Sequence, residues 1–203
     1  MVLVCTFPPD LFPSNAAAVV FSIVFWLWPV SEIIGGGIIP TIRRGGVRTQ
    51  RRDRWSGLLI LASIVIALTI AFSFARADVA MLPSWAFYPG VILMAVGILF
   101  RQWSIFVLGR FFSSAVRTQR DQTVVDTGPY RYVRHPSYTG ALMIWIGLGL
   151  GLQSWGAVLA LVLIFAIAFG YRMHVEEQVL ISQLGDAYIV YSQRTKRLVP
   201  YLF

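Results

Sequence analysis

The chain has 203 residues, of which 57% are hydrophobic and only 13% charged, and its 17 Lys and Arg against 9 Asp and Glu make it basic. With a mean hydropathy of +0.70, this composition excludes an ordinary soluble domain and predicts an integral membrane protein of one domain, with no separate soluble module. A single cysteine, Cys5, excludes an intramolecular disulfide and a cysteine metal cluster.

Pro8, Pro9, Asp10 and Pro13 precede the first apolar run and no basic n-region leads it, so a cleavable signal peptide is not expected. That first run covers 16–40, with Pro29 and Gly35-Gly36-Gly37 expected to bend or break it. Within it, Glu32 is expected to be protonated or paired with a polar neighbour rather than catalytic. A second apolar run covers 55–75 and a third 85–109, each long enough to cross the hydrocarbon core. In the third, Arg101 is followed by Gln102. Arg101 reads either as an arginine snorkelling to the headgroups or as part of a polar cavity. The fourth apolar block, 138–171, is too long for one crossing, and Gln153-Ser154 supplies a turn near its middle. The expected fold is therefore all-α with five transmembrane helices, the last two forming a tight helical hairpin.

Orientation follows from the basic residues. Arg43, Arg44, Arg48, Arg51, Arg52 and Arg54 follow the first run. Arg110, Arg117, Arg120, Arg131 and Arg134 lie between the third and fourth. Arg172, Arg194, Lys196 and Arg197 follow the fifth. An odd number of crossings brings all three segments to one side, which the positive-inside rule makes cytoplasmic, with the N-terminus outside. If the source is prokaryotic, the membrane is the inner, plasma membrane.

Three polar elements gather on that side. In Gln122, Thr123, Val124 and Val125 the alternating β-branched residues favour an extended, strand-like segment, and Gly128-Pro129-Tyr130 then turns the chain. Extended backbone can bond a nucleoside-like ligand, or the segment is an ordinary connection. Next comes Arg134-His135-Pro136-Ser137-Tyr138-Thr139-Gly140. Pro136 holds His135 extended and favours a helix start near Ser137, whose amides and positive dipole end would face the loop. His135 reads equally as a ligand contact or as a fixture of the loop. The third element is 171–177, where a continued helix sets Arg172 and Glu176 four residues apart on one face. The pair is either a solvated salt bridge or a guanidinium fork presented to an acid. His174 points elsewhere and reads as structural. A short amphipathic helix carrying Tyr188 and Tyr191 is expected to cover these elements.

No nucleotide-binding glycine loop, HExxH or nucleophile elbow is present. Two isolated histidines do not make a metal site, and basic residues interleaved with apolar runs reflect topology rather than a nucleic-acid face.

Taken in order, Arg101-Gln102-Trp103, Leu108-Gly109, Thr127-Gly128-Pro129-Tyr130, Arg134-His135-Pro136-Ser137-Tyr138-Thr139-Gly140, Arg172 with Glu176-Glu177, Leu184-Gly185, Tyr188 and Tyr191 resemble the isoprenylcysteine carboxyl methyltransferase family, in its compact prokaryotic form. The resemblance implies S-adenosylmethionine as methyl donor, with a cytoplasmic cofactor-binding loop and a C-terminal helix. Its donor residues would be Gln122, Thr123, Val124, Val125, Tyr130, His135, Pro136, Ser137 and Tyr138. It also implies that Arg172 and Glu176 bind the carboxylate of a lipophilic, isoprenoid-bearing acceptor, and that neither metal nor nucleic acid takes part. On this reading 1–100 is a transmembrane scaffold, completed by 101–109, and 101–203 is the catalytic region. A further polar residue common upstream of the family's donor loop has Arg117 as its nearest candidate here. The alternative acceptors are another lipid or a small thiol. A second alternative is an NADPH-dependent sterol-type membrane reductase, from which Ser137 and Ala141 depart. A third is a non-enzymatic membrane scaffold.

Overall fold

The computed structural model describes residues 7, 9–44, 49–51, 55–113, 117–119 and 122–200. Its helices are α1 (Asn15–Ser31), α2 (Ile39–Arg44), α3 (Trp55–Arg76), α4 (Phe87–Leu108), α5 (Pro136–Gly151), α6 (Trp155–Leu184) and α7 (Asp186–Arg194). Four stretches are long and apolar enough to cross a membrane: Asn15–Ile38, Leu58–Arg76, Ser84–Phe111 and Trp155–Leu184. With 16 residues, α5 falls short of the roughly 20 that a lipid-facing helix needs. Eleven of those residues are buried, so protein rather than lipid surrounds it.

The expected break in the first run takes the form of a bulge. Ser14 caps α1 by accepting from Ala17 N at 3.1 Å. The helix then continues through Pro29 into a π-helical segment, Glu32–Ile38, and on into α2. Pro29 removes one backbone donor, and the wider π turn absorbs the mismatch without ending the helix.

Antiparallel α4 and α5 form the closest seam of the bundle, and glycine makes it possible. A Cβ on Gly147 would lie 2.6 Å from both Gly90 O and Met94 N, and one on Gly97 would lie 2.9 Å from Gly140 O. Small residues that let backbones touch are how helices associate where lipid offers no hydrophobic gradient. Residues 152–154 join α5 to α6, and Ser154 caps α6 by accepting from Ala157 N at 3.2 Å. Phe21, Met94, Ile144, Trp145, Leu148 and Leu161 fill the space among α1, α4, α5 and α6.

Loops meet at both ends. At one, Leu82 N donates to Gln153 O at 2.7 Å and Trp155 N to Ala80 O at 2.8 Å. At the other, β1 (Thr49–Arg51) pairs antiparallel with β2 (Arg117–Gln119), with Thr49 opposite Gln119 and Arg51 opposite Arg117. The segment expected to be extended at 122–125 joins no ladder. The ladder covers 117–119, and residues 122–126 carry no regular structure.

Candidate active site

Beside the ribbon end the helices enclose a cavity of about 310 Å³. Gln122, Thr123, Val124, Val125, Tyr130, His135, Ser137 and Tyr138 all line it, and so do Arg172 and Glu176. Pro136 does not, which corrects its expected place. Its ring is fully buried at the first position of α5, where the fixed φ and missing N–H suit a helix start. The cavity also draws on the first half of the chain, through Trp28 and Glu32, Ile60 and Ile64 of α3, and Arg101 of α4. A division of the chain near residue 100 therefore does not separate its walls.

The local chain explains how the loop side chains arrive. Gly128 adopts φ +57°, the left-handed region that glycine enters at least cost, and starts the turn that buries Pro129 and Tyr130. Pro136 then starts α5. The expectation of free amides at this helix start is largely corrected, because Tyr138 N and Thr139 N both close on His135 O, at 2.9 and 3.1 Å. Tyr138 therefore enters the site through its side chain. Its hydroxyl accepts from Arg172 Nε at 2.8 Å and donates to Glu176 Oε2 at 2.7 Å. The two α6 residues are thus joined through a tyrosine that the sequence placed on the donor side.

Glu177, named in the motif but given no role of its own by the sequence, organises the loop above. Its carboxylate accepts from Arg134 Nε at 3.0 Å and Arg197 Nη2 at 2.9 Å, and lies 3.1 Å from His135 Nε2. The C-terminal chain is strapped to the same loop, with Arg134 N donating to Lys196 O at 2.7 Å and Thr139 Oγ1 to Leu198 O at 2.7 Å. His135 thus lines the cavity and also belongs to this network, while His174 is exposed.

Tyr188 and Tyr191 are buried, their rings 5.8 Å apart, and both line the cavity. Burial pushes the phenols of Tyr130, Tyr188 and Tyr191 above the ordinary tyrosine value, which keeps them neutral hydroxyls. Tyr191 Oη donates to Tyr130 O at 2.8 Å, whereas Tyr188 Oη has no partner among the described residues.

In the membrane-spanning part, Arg101 Nε and Nη2 donate to the two carboxylate oxygens of Glu32, and Nη1 donates to Ser137 O at 2.8 Å. Snorkelling is thereby corrected, since the guanidinium is turned inward onto the cavity wall. The signal was present in the sequence, because two opposite charges in separate apolar runs are costly unless they meet.

The phospholipid methyltransferase family model matches residues 85–187. The chain belongs to that family. Among curated proteins it is 27% identical over 154 residues to protein-S-isoprenylcysteine O-methyltransferase B of Arabidopsis thaliana, covering 72% of this chain and 78% of that protein. It is 25% identical over 184 residues to a probable protein-S-isoprenylcysteine O-methyltransferase of Oryza sativa subsp. indica, covering 87% and 96%. Among solved structures, the eukaryotic intramembrane Ras methyltransferase isoprenylcysteine carboxyl methyltransferase shares the fold. That match has a TM-score of 0.63 and 21% identity, and covers 97% of this chain and 69% of the other.

Proposed function

We propose that this family member is an integral membrane methyltransferase that moves a methyl group from S-adenosylmethionine to the carboxylate of a lipophilic acceptor, with isoprenylated cysteine as the acceptor class. The observation that carries this reading is the Arg172–Tyr138–Glu176 bridge, set between a polar lining and an apolar one made by Trp145, Phe169, Ile60 and Ile64.

The lining fits the donor. Tyr188 presents a buried hydroxyl without a partner, and Thr123, Val124 and Val125 have no hydrogen-bond partner among the described residues. These groups, with Gln122, Tyr130, His135 and Ser137, would hold it, while the Tyr138 hydroxyl is engaged by Arg172 and Glu176. When bound, S-adenosylmethionine supplies a methyl group on a sulfonium that leaves with the bonding electron pair on sulfur. The acceptor carboxylate is already a nucleophile, so no residue has to remove a proton. Arg172 holds and orients that carboxylate through its guanidinium, and the Tyr138 hydroxyl, braced by Glu176, fixes the rotamer of Arg172. Catalysis then rests on alignment and exclusion of water.

In this reading α5 is a fifth crossing, a short helix sheltered by α4 and α6, and with α6 it forms the closing hairpin. The ribbon end faces the cytoplasm and the N-terminus faces out. The apolar tail enters sideways from the membrane while the donor enters from the cytoplasm.

The test is transfer of labelled methyl from S-adenosylmethionine to a farnesylcysteine analogue by the purified protein in detergent, with calorimetry of S-adenosylmethionine, its demethylated product and NADPH. Binding of the first two with methyl transfer is expected. Binding of NADPH alone would replace this reading with a reductase.

A further inference from the structure

A second set of polar contacts borders the cavity where α4 grips α1 and α5. The carboxylate of Glu32 engages the Nε–Nη2 edge of the Arg101 guanidinium, and Nη1 reaches Ser137 O at 2.8 Å. Such a forked pair fixes both position and orientation. Next to it, Gln102 Nε2 donates to Ser31 Oγ at 3.2 Å. Its Oε1 sits in the notch left by Gly35, where a Cβ would collide with it. On the opposite side Arg101 rests against α5, since a Cβ on Gly140 would lie 2.8 Å from Arg101 N. The π-helical segment begins at Glu32, so the bulge in the first span occurs where this grip is made.

A largely buried ion pair is poorly justified as a source of stability, because apolar residues of similar volume generally serve as well. Its third contact identifies a use. Ser137 O lies in the first turn of α5, one residue from Tyr138, whose hydroxyl carries Arg172 and Glu176. Glu32 and Arg101 both line the cavity with those groups.

We propose that Glu32 and Arg101 are positioning residues. They hold the first turn of α5 in register with α6, so that Tyr138 sets Arg172 against the acceptor. Neither touches the reacting atoms. The kinetic part of this proposal rests on the methyltransferase reading above; the mechanical part does not.

Three variants test it. Glu32→Gln removes the charge at nearly constant volume. Arg101→Lys keeps the charge but loses the fork and the reach to Ser137 O. The double exchange Glu32→Arg with Arg101→Glu restores an ion pair but leaves no donor for Ser137 O. In the single variants kcat falls roughly 10- to 100-fold, the scale of a small misplacement of aligned groups, while KM for the farnesylcysteine analogue and donor affinity change less than about threefold. In the double exchange thermal stability returns to the parent value and kcat stays low. Hydrogen exchange of amides 137–141 speeds up in all three variants while α7 is unchanged. Recovery of kcat together with stability in the double exchange would make the pair merely structural and overturn the proposal, as would unaltered exchange at 137–141. If neither single variant folds, the double exchange carries the kinetic arm. If the parent shows no methyl transfer, the functional reading fails and the exchange measurement alone decides the mechanical claim.

Discussion

Arg172 Nε donates to the Tyr138 hydroxyl at 2.8 Å, which binds the first turn of α5 to α6. Tyr138 therefore belongs with Arg172 and Glu176 in any account of the reaction. Replacing it with Phe keeps the ring between His135 and Phe169, whose centroids each lie 5.4 Å from its own. The substitution removes only the bridge. Tyr138→Phe is expected to lower kcat by about 10- to 100-fold, as loss of alignment does, and to leave donor affinity within about threefold. Steady-state kinetics with calorimetry of the donor would check this. A donor affinity that collapses while kcat holds would return Tyr138 to the donor side.

Arg172 itself is 5% exposed and is proposed to meet the acceptor carboxylate as a planar fork. A lysine would supply the charge without that geometry. Arg172→Lys should therefore lose most of the activity that Arg172→Ala loses, both by at least about 100-fold in kcat/KM, or roughly 2.7 kcal/mol of transition-state stabilisation. Donor binding should survive in each. A lysine variant within about threefold of the parent would exclude forked recognition.

Much of this arrangement was legible in the sequence because hydropathy, proline placement and the four-residue spacing are local signals. They located the apolar helices, the start of α5 beside Pro136 and the shared face of Arg172 and Glu176. Contacts between distant segments were not legible. Glu177 gathers Arg134, His135 and Arg197, yet nothing local distinguishes it from Glu176. Glu32 and Arg101 are separated by 69 positions, and only the cost of isolated charge in an apolar setting links them. Whether 122–125 would find a pairing strand was equally illegible, since β propensity describes a surface suited to pairing and cannot supply the partner.

The Glu177 network makes a prediction about stability. Glu177→Ala leaves two guanidinium groups and a histidine around an empty centre and loosens the strap between the loop and the C-terminal chain. Removing one partner of a buried ionic cluster costs about 3–5 kcal/mol, so the melting temperature in detergent should fall clearly, with protease cutting appearing first beyond Arg194. An unchanged melting temperature would mean that the strap holds through its backbone bonds alone.

Helix seams predict opposite outcomes for two glycines. A Cβ on Gly147 meets the backbone of Gly90 and Met94 at 2.6 Å, whereas one on Gly170 of α6 meets nothing within 4 Å. Gly147→Ala must push α4 and α5 apart and should destabilise by about 1–3 kcal/mol, the usual cost of overpacking. Gly170→Ala should be neutral or stabilising by up to about 1 kcal/mol through helix propensity. Thermal unfolding of the two variants side by side measures both.

Tyr188 gives a test in which stability and binding change in opposite senses. Tyr188 is 4% exposed and lines the cavity, and its hydroxyl has no partner among the described residues. An unsatisfied buried hydroxyl costs about 1–3 kcal/mol, so Tyr188→Phe should match or exceed the parent in thermal stability when no donor is present. With donor bound, the hydroxyl gains the partner that it lacks in the empty fold. Its loss should then weaken donor affinity by about 5- to 10-fold, the worth of one hydrogen bond. The stabilisation conferred by saturating S-adenosylmethionine should consequently be smaller in the variant than in the parent. Equal ligand-induced shifts in melting temperature would show that Tyr188 does not contact the donor.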